Sequence, residues 1–167
     1  VIVDRLQKPL NENAEVLNSQ LYLTSEGDLY TASVAENGSD AYAEVDIEGA
    51  KELLAGATPS VRLLYNINNP IRVDTFSLIR DSATQAGFQI EDGGSADWSS
   101  ELGTGTYDAS IFGWISSGVG SAGVPQIFSS TGGGNYNAYS NPEVDELSSQ
   151  LKVTTDSDEA EAIKRQI

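Results

Sequence analysis

Residues 61–91 read VRLLYNINNPIRVDTFSLIRDSATQAGFQIE and carry the strongest sequence signal of the fold class. Residues 61–67 are mostly apolar and predict a strand with turns on both sides. Asn68-Asn69-Pro70 is predicted to open a helix, since a proline is tolerated in the first helical turn, where its missing N–H costs no hydrogen bond. Gly87 is predicted to end this helix. Residues 88–91 predict the next strand. A strand, a helix of about four turns and a second strand form a βαβ unit, with parallel pairing and a right-handed crossover.

Two segments precede this unit. Residues 11–43 have weak periodicity and a turn signal at Asn37-Gly38, so we expect an irregular wrapping segment there. Residues 44–167 are expected to form an α/β core. Its first helix starts at Asp46 as N-cap and ends at Gly56. One face of that helix is predicted to carry Ile47, Ala50, Leu53 and Leu54.

The elements after residue 91 complete the predicted core. Ser95 is expected to cap a short helix that runs through Trp98 and Leu102, and residues 107–113 predict a third strand. Two further helices are predicted at 142–152, capped by Asn141, and from about 156, capped by Asp156. The fold class is therefore α/β, with a mixed, largely parallel sheet flanked by helices.

Composition excludes several functions. The 167 residues carry 25 acids and nine cations, a net charge of −16, which argues against a nucleic-acid partner. The chain has no cysteine and no histidine, so it lacks a disulfide, a thiolate nucleophile and the commonest general base and metal ligand. We expect neither an enzyme nor a metal site. The chain also has no methionine and is interpreted as a piece of a longer protein.

Ligands of open α/β sheets bind beyond the carboxyl ends of the strands. Here two such ends are predicted, at Asn68-Asn69 and at Trp114, where a loop of about twenty residues rich in glycine and serine begins. Trp114 either caps the core or offers a flat apolar wall to a ligand. Tyr136 either lines the cleft or pins the loop. The other candidate ligand-binding residues in this loop are Ser116, Ser117 and Gly118.

Residues 118–123 match the G-x-G-x-x-G pattern of dinucleotide-binding loops and follow a predicted strand. That pattern needs a helix directly after it and an acid on the next strand. Residues 124–128, VPQIF, do not predict a helix start. We therefore predict no cofactor.

Five motifs occur in an order that resembles a known family. They are DIEGAKELLAGA at 46–57, QAGFQIE at 85–91, Asp97-Trp98, YDASIFGW at 107–114, and YNAYSNPEVD at 136–145. In order and spacing they resemble the second lobe of the peptide-type (family 5) extracellular solute-binding proteins of ABC importers. The resemblance covers nearly the whole chain.

The resemblance implies that residues 1–167 form a single ligand-binding lobe, of type II periplasmic-binding-protein-like fold, in a longer two-lobe protein. It implies a short peptide or other small solute as ligand and a membrane permease as partner. The location would be extracytoplasmic, either the periplasm or the cell surface as a lipoprotein. Many family members carry an aspartate for the peptide's amino group where this chain has Ser117, which makes an N-blocked peptide or an oligosaccharide more plausible. The alternative is a stand-alone secreted module that binds carbohydrate or a protein partner.

Overall fold

The computed structural model describes residues 2–19, 21–42, 44–114 and 123–167, which divide into two compact units. The first unit comprises Val1–Val16 and Tyr42–Trp114, and the second comprises Leu17–Ala41 and Ile115–Ile167. The assignment of the chain to one lobe of a longer protein stays a prediction.

The described residues form three strands, seven α-helices and three short turns of π or 3₁₀ helix. The strands are β1 (Ser60–Asn66), β2 (Gln89–Ser95) and β3 (Ala109–Ile111). The α-helices are α1 (Asp28–Glu36), α2 (Ile47–Leu54), α3 (Pro70–Ala86), α4 (Trp98–Glu101), α5 (Val124–Phe128), α6 (Pro142–Leu151) and α7 (Ser157–Gln166). The short turns are Val3–Gln7, Thr24–Glu26 and Ser39–Tyr42.

The three strands form one parallel sheet in the order β2-β1-β3. On one side of β1 the register runs from Ser60 opposite Gln89 to Asn66 opposite Ser95. On the other side Leu63 lies opposite Ala109. The predicted βαβ unit and the α/β fold class are therefore confirmed.

The core of the first unit lies between the sheet and α3. Leu63, Tyr65 and Phe76 are buried, and the rings of Tyr65 and Phe76 stack with their centroids 4.8 Å apart. Leu64, on the opposite face of β1, is also fully buried. A central parallel strand is covered on both faces, which explains the nearly continuous apolar run in its sequence.

Strand β2 is longer than predicted, because it continues through Asp92, Gly93 and Gly94 to Ser95. A side chain at Gly93 would lie 2.6 Å from the backbone oxygen of Leu63. The glycines therefore let β2 approach β1 closely instead of forming a turn.

Two predictions after β2 were wrong in detail. Ser95 is the last residue of β2, and the helix that follows has Asp97 as its N-cap. Strand β3 has only three residues, whereas residues 107–113 were predicted as a strand. The strand is short because its pairing with β1 covers only Ala109 to Ile111.

Helix α2 begins as predicted, because the side chain of Asp46 accepts a hydrogen bond from the Gly49 amide at 2.8 Å. It ends one residue earlier than predicted, since Ala55 already has a left-handed backbone with φ 50°. Leu53 was predicted on the apolar face but is 89% exposed. It lies on the flank of the helix rather than against the body of the unit.

The second unit has its own core. Val124, Leu151, Ala160 and Ile163 are buried together, with Leu21, Phe128, Leu147 and Ile167 packed around them. Helices α6 and α7 are capped as predicted. The side chain of Asn141 accepts from the Glu143 amide at 2.9 Å, and that of Asp156 accepts from the Asp158 and Glu159 amides.

Residues 17–41, most of the expected wrapping segment at 11–43, also belong to this unit, and α1 makes part of that segment helical rather than irregular. Tyr22 of this segment contacts α7. The hydroxyl of Tyr22 donates to the carboxylate of Glu161, which also accepts from the buried ammonium group of Lys164. This polar cluster fastens the segment to α7.

Candidate functional site at the carboxyl edge of the sheet

The carboxyl ends of the three strands meet at one edge of the sheet, because the strands are parallel. We call this the carboxyl edge. It consists of the turn Asn66–Asn69 with the first turn of α3, residues 96–98 after β2, and residues 112–114 after β3. Asn68, Asn69 and Trp114, three of the predicted site residues, lie here.

The turn after β1 is held by its own hydrogen bonds. The Asn69 amide donates to the Asn66 carbonyl at 3.1 Å, and the Asn68 amide donates to the Asn66 side chain at 2.9 Å. The Ile67 amide continues the sheet by donating to the Ser95 carbonyl at 3.3 Å. The turn therefore presents Ile67 and Asn68 to solvent in a fixed conformation, and Ile67 is 48% exposed.

Asn69 serves the helix rather than the surface. Its side-chain oxygen accepts from the Arg72 amide at 3.2 Å and so caps α3. Only its NH₂ group could also donate to a ligand. Of the two predicted asparagines, Asn68 is the exposed one.

Trp114 stands 53% exposed beyond β3. Its indole meets the ring of Phe112 edge to face, with the centroids 5.8 Å apart. An edge-to-face neighbour restricts the indole's orientation and leaves apolar surface for another molecule. This exposure favours the ligand-wall interpretation over a core cap, although its binding role stays a prediction.

Four predicted site residues remain. Ser116, Ser117 and Gly118 lie outside the described residues. Tyr136 belongs to the second unit, where it is partly exposed. The loop around it is held by Asn135, whose side chain bonds the backbone of Tyr139 through both its oxygen and its nitrogen.

Four residues of the carboxyl edge were missed by sequence reasoning: Ile67, Ile71, Arg72 and Trp98. Ile71 is exposed in the first turn of α3. The guanidinium of Arg72 lies 4.6 Å from the ring centre of Trp98. Trp98 was not linked to the edge because β2 was predicted to end at residue 91, seven residues before it. The aromatic residue just after a strand was the signal that could have found it.

The electrostatics of this edge differ from those of the chain as a whole. From Asn66 to Val73 the chain carries Arg72 and no acid, although the net charge is −16. Below the end of β2, hydrogen bonding from Ser95 and then from Arg62 holds the pKa of Glu101 below its ordinary value. Glu101 is therefore ionised at neutral pH and bonded to its own neighbours, and Asp97 places one further acid on this edge.

Within the described residues, no cluster of three or more acids has the arrangement of a metal site. Residues 124–128 form the short helix α5, with Pro125 in its first turn, so the prediction that they do not start a helix was wrong. No strand follows α5 in residues 129–167, so the acid-bearing strand of a dinucleotide site is missing from this part of the chain.

A cavity of about 590 Å³ lies within the second unit, between α5, residues 131–133 and Lys152. None of the described site residues lines it. Among the described helices, none combines the length and the apolar character needed to cross a bilayer.

No protein-family model matches the chain, and no curated protein is significantly similar to it in sequence. Solved structures are similar. NikA from Staphylococcus aureus, in complex with Ni(L-His)₂, is 25% identical with a TM-score of 0.66, over 74% of this chain and 28% of that protein. The oligopeptide-binding protein AppA from Bacillus subtilis, in complex with a nonapeptide, is 23% identical with a TM-score of 0.63, over 74% of this chain and 29% of that protein.

The binding protein AgaA from A. tumefaciens R10, in complex with agropinic acid, is 17% identical with a TM-score of 0.75, over 99% of this chain and 34% of that protein. The chain thus spans about a third or less of the length of these proteins. They are binding proteins rather than enzymes. The chain therefore has the fold of the peptide- and nickel-type (family 5) solute-binding proteins of ABC importers, and the resemblance carried by its motifs is confirmed.

Proposed function

We propose that this chain is a substrate-binding lobe of an extracytoplasmic ABC-importer solute-binding protein and that its ligand is a short peptide. The observation that carries the proposal is the structural likeness to binding proteins that include AppA with its nonapeptide. The carboxyl edge, with Asn68 and Trp114 exposed on it, is the proposed half of the cleft.

The second lobe, the membrane partner and the location of the protein are proposed by analogy with ABC-importer solute-binding proteins. A second lobe closes over the ligand, and the closed form docks on a membrane permease. The protein resides outside the cytoplasm, as a periplasmic protein or a cell-surface lipoprotein. This chain matches only about a third or less of the length of these proteins, which supports a second lobe elsewhere in the full-length protein.

The ligand chemistry is argued from the edge. Trp114 supplies an apolar wall, and Asn68 supplies amide donors and an acceptor. Ser116, Ser117 and Gly118 are proposed to add hydroxyl and backbone N–H groups, and Tyr136 is proposed as a further contact. No acid occurs between Asp108 and Glu143. Such a surface suits peptide amides better than a free ammonium group.

The test is calorimetry on the full-length protein with tetraalanine, with a free and an acetylated amino end. Comparable affinities are expected, and a large preference for the free amine would contradict this ligand chemistry. Trp114→Ala should weaken binding by about 1–3 kcal/mol through lost apolar contact. Leu53→Ala, at an exposed position on α2, is the matched control and should leave the affinity unchanged.

A nickel–histidine complex is a second candidate, since NikA with Ni(L-His)₂ is among the similar structures. This chain has no histidine, so its metal would have to arrive with its own ligands. Titration of Ni(L-His)₂ into the same protein decides between the two, because only one ligand should bind with micromolar or tighter affinity.

A further inference from the structure

We infer that Arg72 anchors a carboxylate of the ligand and that Trp98 is the platform that holds its guanidinium. This inference rests on the proposed function, because it assigns a ligand group to the same carboxyl edge. Neither residue was among those predicted from the sequence.

The backbone of Arg72 is fixed at this edge. It is the third residue of α3, and its amide donates to the capping side chain of Asn69 at 3.2 Å. The side chain therefore starts from a defined point directly after the turn Asn66–Asn69.

The side chain is held as well. Its guanidinium lies over the ring of Trp98 at 4.6 Å, and both side chains are half-buried. Trp98 is the first residue of α4, three positions after the end of β2. Stacking uses one face of the planar guanidinium and fixes its orientation.

Not all N–H donors of the Arg72 guanidinium have a hydrogen-bond acceptor among the described residues. The Nη1 atom of Arg72 is buried and has no hydrogen-bond partner within the described residues. Arg62, by contrast, donates to the Thr106 carbonyl at 2.9 Å and to Glu101 at 3.4 Å. A buried donor without an acceptor is unfavourable. Because the Arg72 side chain as a whole is only half-buried, a ligand group that meets its exposed part can draw Nη1 into a hydrogen bond.

A carboxylate matches the forked geometry of a guanidinium with two parallel hydrogen bonds. The turn itself, residues 66–73, contains no acid, and the acids beside it are the exposed Asp74, on the next position of α3, and the exposed Asp97, next to Trp98. The lobe is thus equipped to hold a peptide by a carboxylate, whereas Ser117 occupies the position where an acid would hold its amine. The carboxylate is either the carboxyl terminus of the peptide or an acidic side chain.

The test uses the full-length protein and calorimetry. The first pair of probes is acetyl-tetraalanine as free acid and as carboxyl-terminal amide. The second pair is an amidated tetrapeptide with one glutamate and the same peptide with glutamine, which separates the two sources of carboxylate. The variant is Arg72→Met. Its matched control is Arg80→Met, because Arg80 lies on the same helix and also covers an aromatic ring, that of Phe76 at 5.3 Å.

We expect wild type to prefer one acid over its neutral partner, and Arg72→Met to weaken binding of that acid by about tenfold or more without affecting the neutral peptide. Arg80→Met should change neither. Peptide binding without any preference for an acid would overturn the inference and leave the proposed function standing. Equal losses for acid and amide in Arg72→Met would assign Arg72 a structural role only.

If wild type binds no peptide at all, the proposed function fails and the inference fails with it. If Arg72→Met does not fold, judged by circular dichroism, Arg72→Lys replaces it. Lysine keeps the charge but loses the fork and the planar stack, so the preference for the acid should shrink. An undiminished preference would overturn the assignment.

Discussion

Asn68 and Asn69 are neighbours in the chain but have different roles. Asn69 caps α3 through the Arg72 amide, while Asn68 is exposed on the turn. Asn69→Ala should therefore lower the free energy of unfolding by about 1 kcal/mol, because an amide at the helix start loses its acceptor.

Asn68→Ala should leave the stability almost unchanged and weaken ligand binding instead. Urea unfolding of both variants, followed by circular dichroism, measures the first effect, and calorimetry measures the second. Equal stability losses in the two variants would contradict this division of roles.

Gly93 is another residue whose role depends on one contact. A methyl group there would lie 2.6 Å from the Leu63 oxygen, within the pairing of β2 with β1. Gly93→Ala should destabilise the protein by about 1–3 kcal/mol, because the strands must move apart. Gly103→Ala is the control, since nothing lies within 4 Å of its added methyl. A Gly93→Ala variant that unfolds at the wild-type urea concentration would show that the sheet yields without cost.

Helix α6 is tied to the preceding loop by one carboxylate. Asp145 accepts from the Ser130 amide at 2.7 Å and from its hydroxyl at 2.6 Å. The hydroxyl first, and then the amide, hold the pKa of Asp145 below its ordinary value of 3.8. A lowered carboxylate pKa stabilises the fold above the unfolded value, and this contribution is lost as the pH falls through the folded value.

Asp145→Asn should therefore lower the thermal midpoint at pH 7, and the difference from wild type should shrink as the pH falls below 3.8. Glu146→Gln, one residue away, is the control for the loss of a carboxylate from the same helix. Thermal melts across the acid range measure both. A constant difference at all pH values would contradict the carboxylate's role.

The cluster of Tyr22, Glu161 and Lys164 fastens the segment before α1 to α7. Lys164 is buried and pairs with Glu161, so removing the acid leaves a buried cation behind. Glu161→Gln should cost about 3 kcal/mol of stability, more than Lys164→Met, which removes the buried charge itself. Urea unfolding of the two variants gives the comparison. A larger loss of stability in Lys164→Met than in Glu161→Gln would show that the ammonium group of Lys164 is solvated without its partner.

Helix starts and strand positions could be predicted from neighbouring residues in the sequence. Features that depend on contacts between distant parts of the chain could not. The caps Asp46, Asn141 and Asp156 were predicted correctly because a cap acts within three residues of itself. The length of β2 was missed because Gly93-Gly94 is typical of a turn, and only β1 makes it a strand. The positions of Asn68 and Trp114 at the carboxyl edge could be predicted, because the ends of parallel strands meet at one edge. The contact of Arg72 with Trp98 was missed, because it joins residues 26 positions apart in the sequence.

For the whole molecule, we propose that this chain holds one half of a cleft. A ligand enclosed between two lobes makes only part of its contacts with each of them. The isolated chain should therefore bind weakly, with a Kd of about 1 mM, because the second set of contacts and the exclusion of water are lost. A stand-alone module would instead bind with its full affinity.

The most direct measurement is calorimetry with acetyl-tetraalanine on the full-length protein and on residues 1–167 alone, after circular dichroism has shown that the fragment is folded. We expect micromolar or tighter binding by the full-length protein and a loss of affinity of about a hundredfold or more in the fragment. Equal affinities would contradict it and favour the stand-alone module, and no binding by the full-length protein would reject the peptide as ligand.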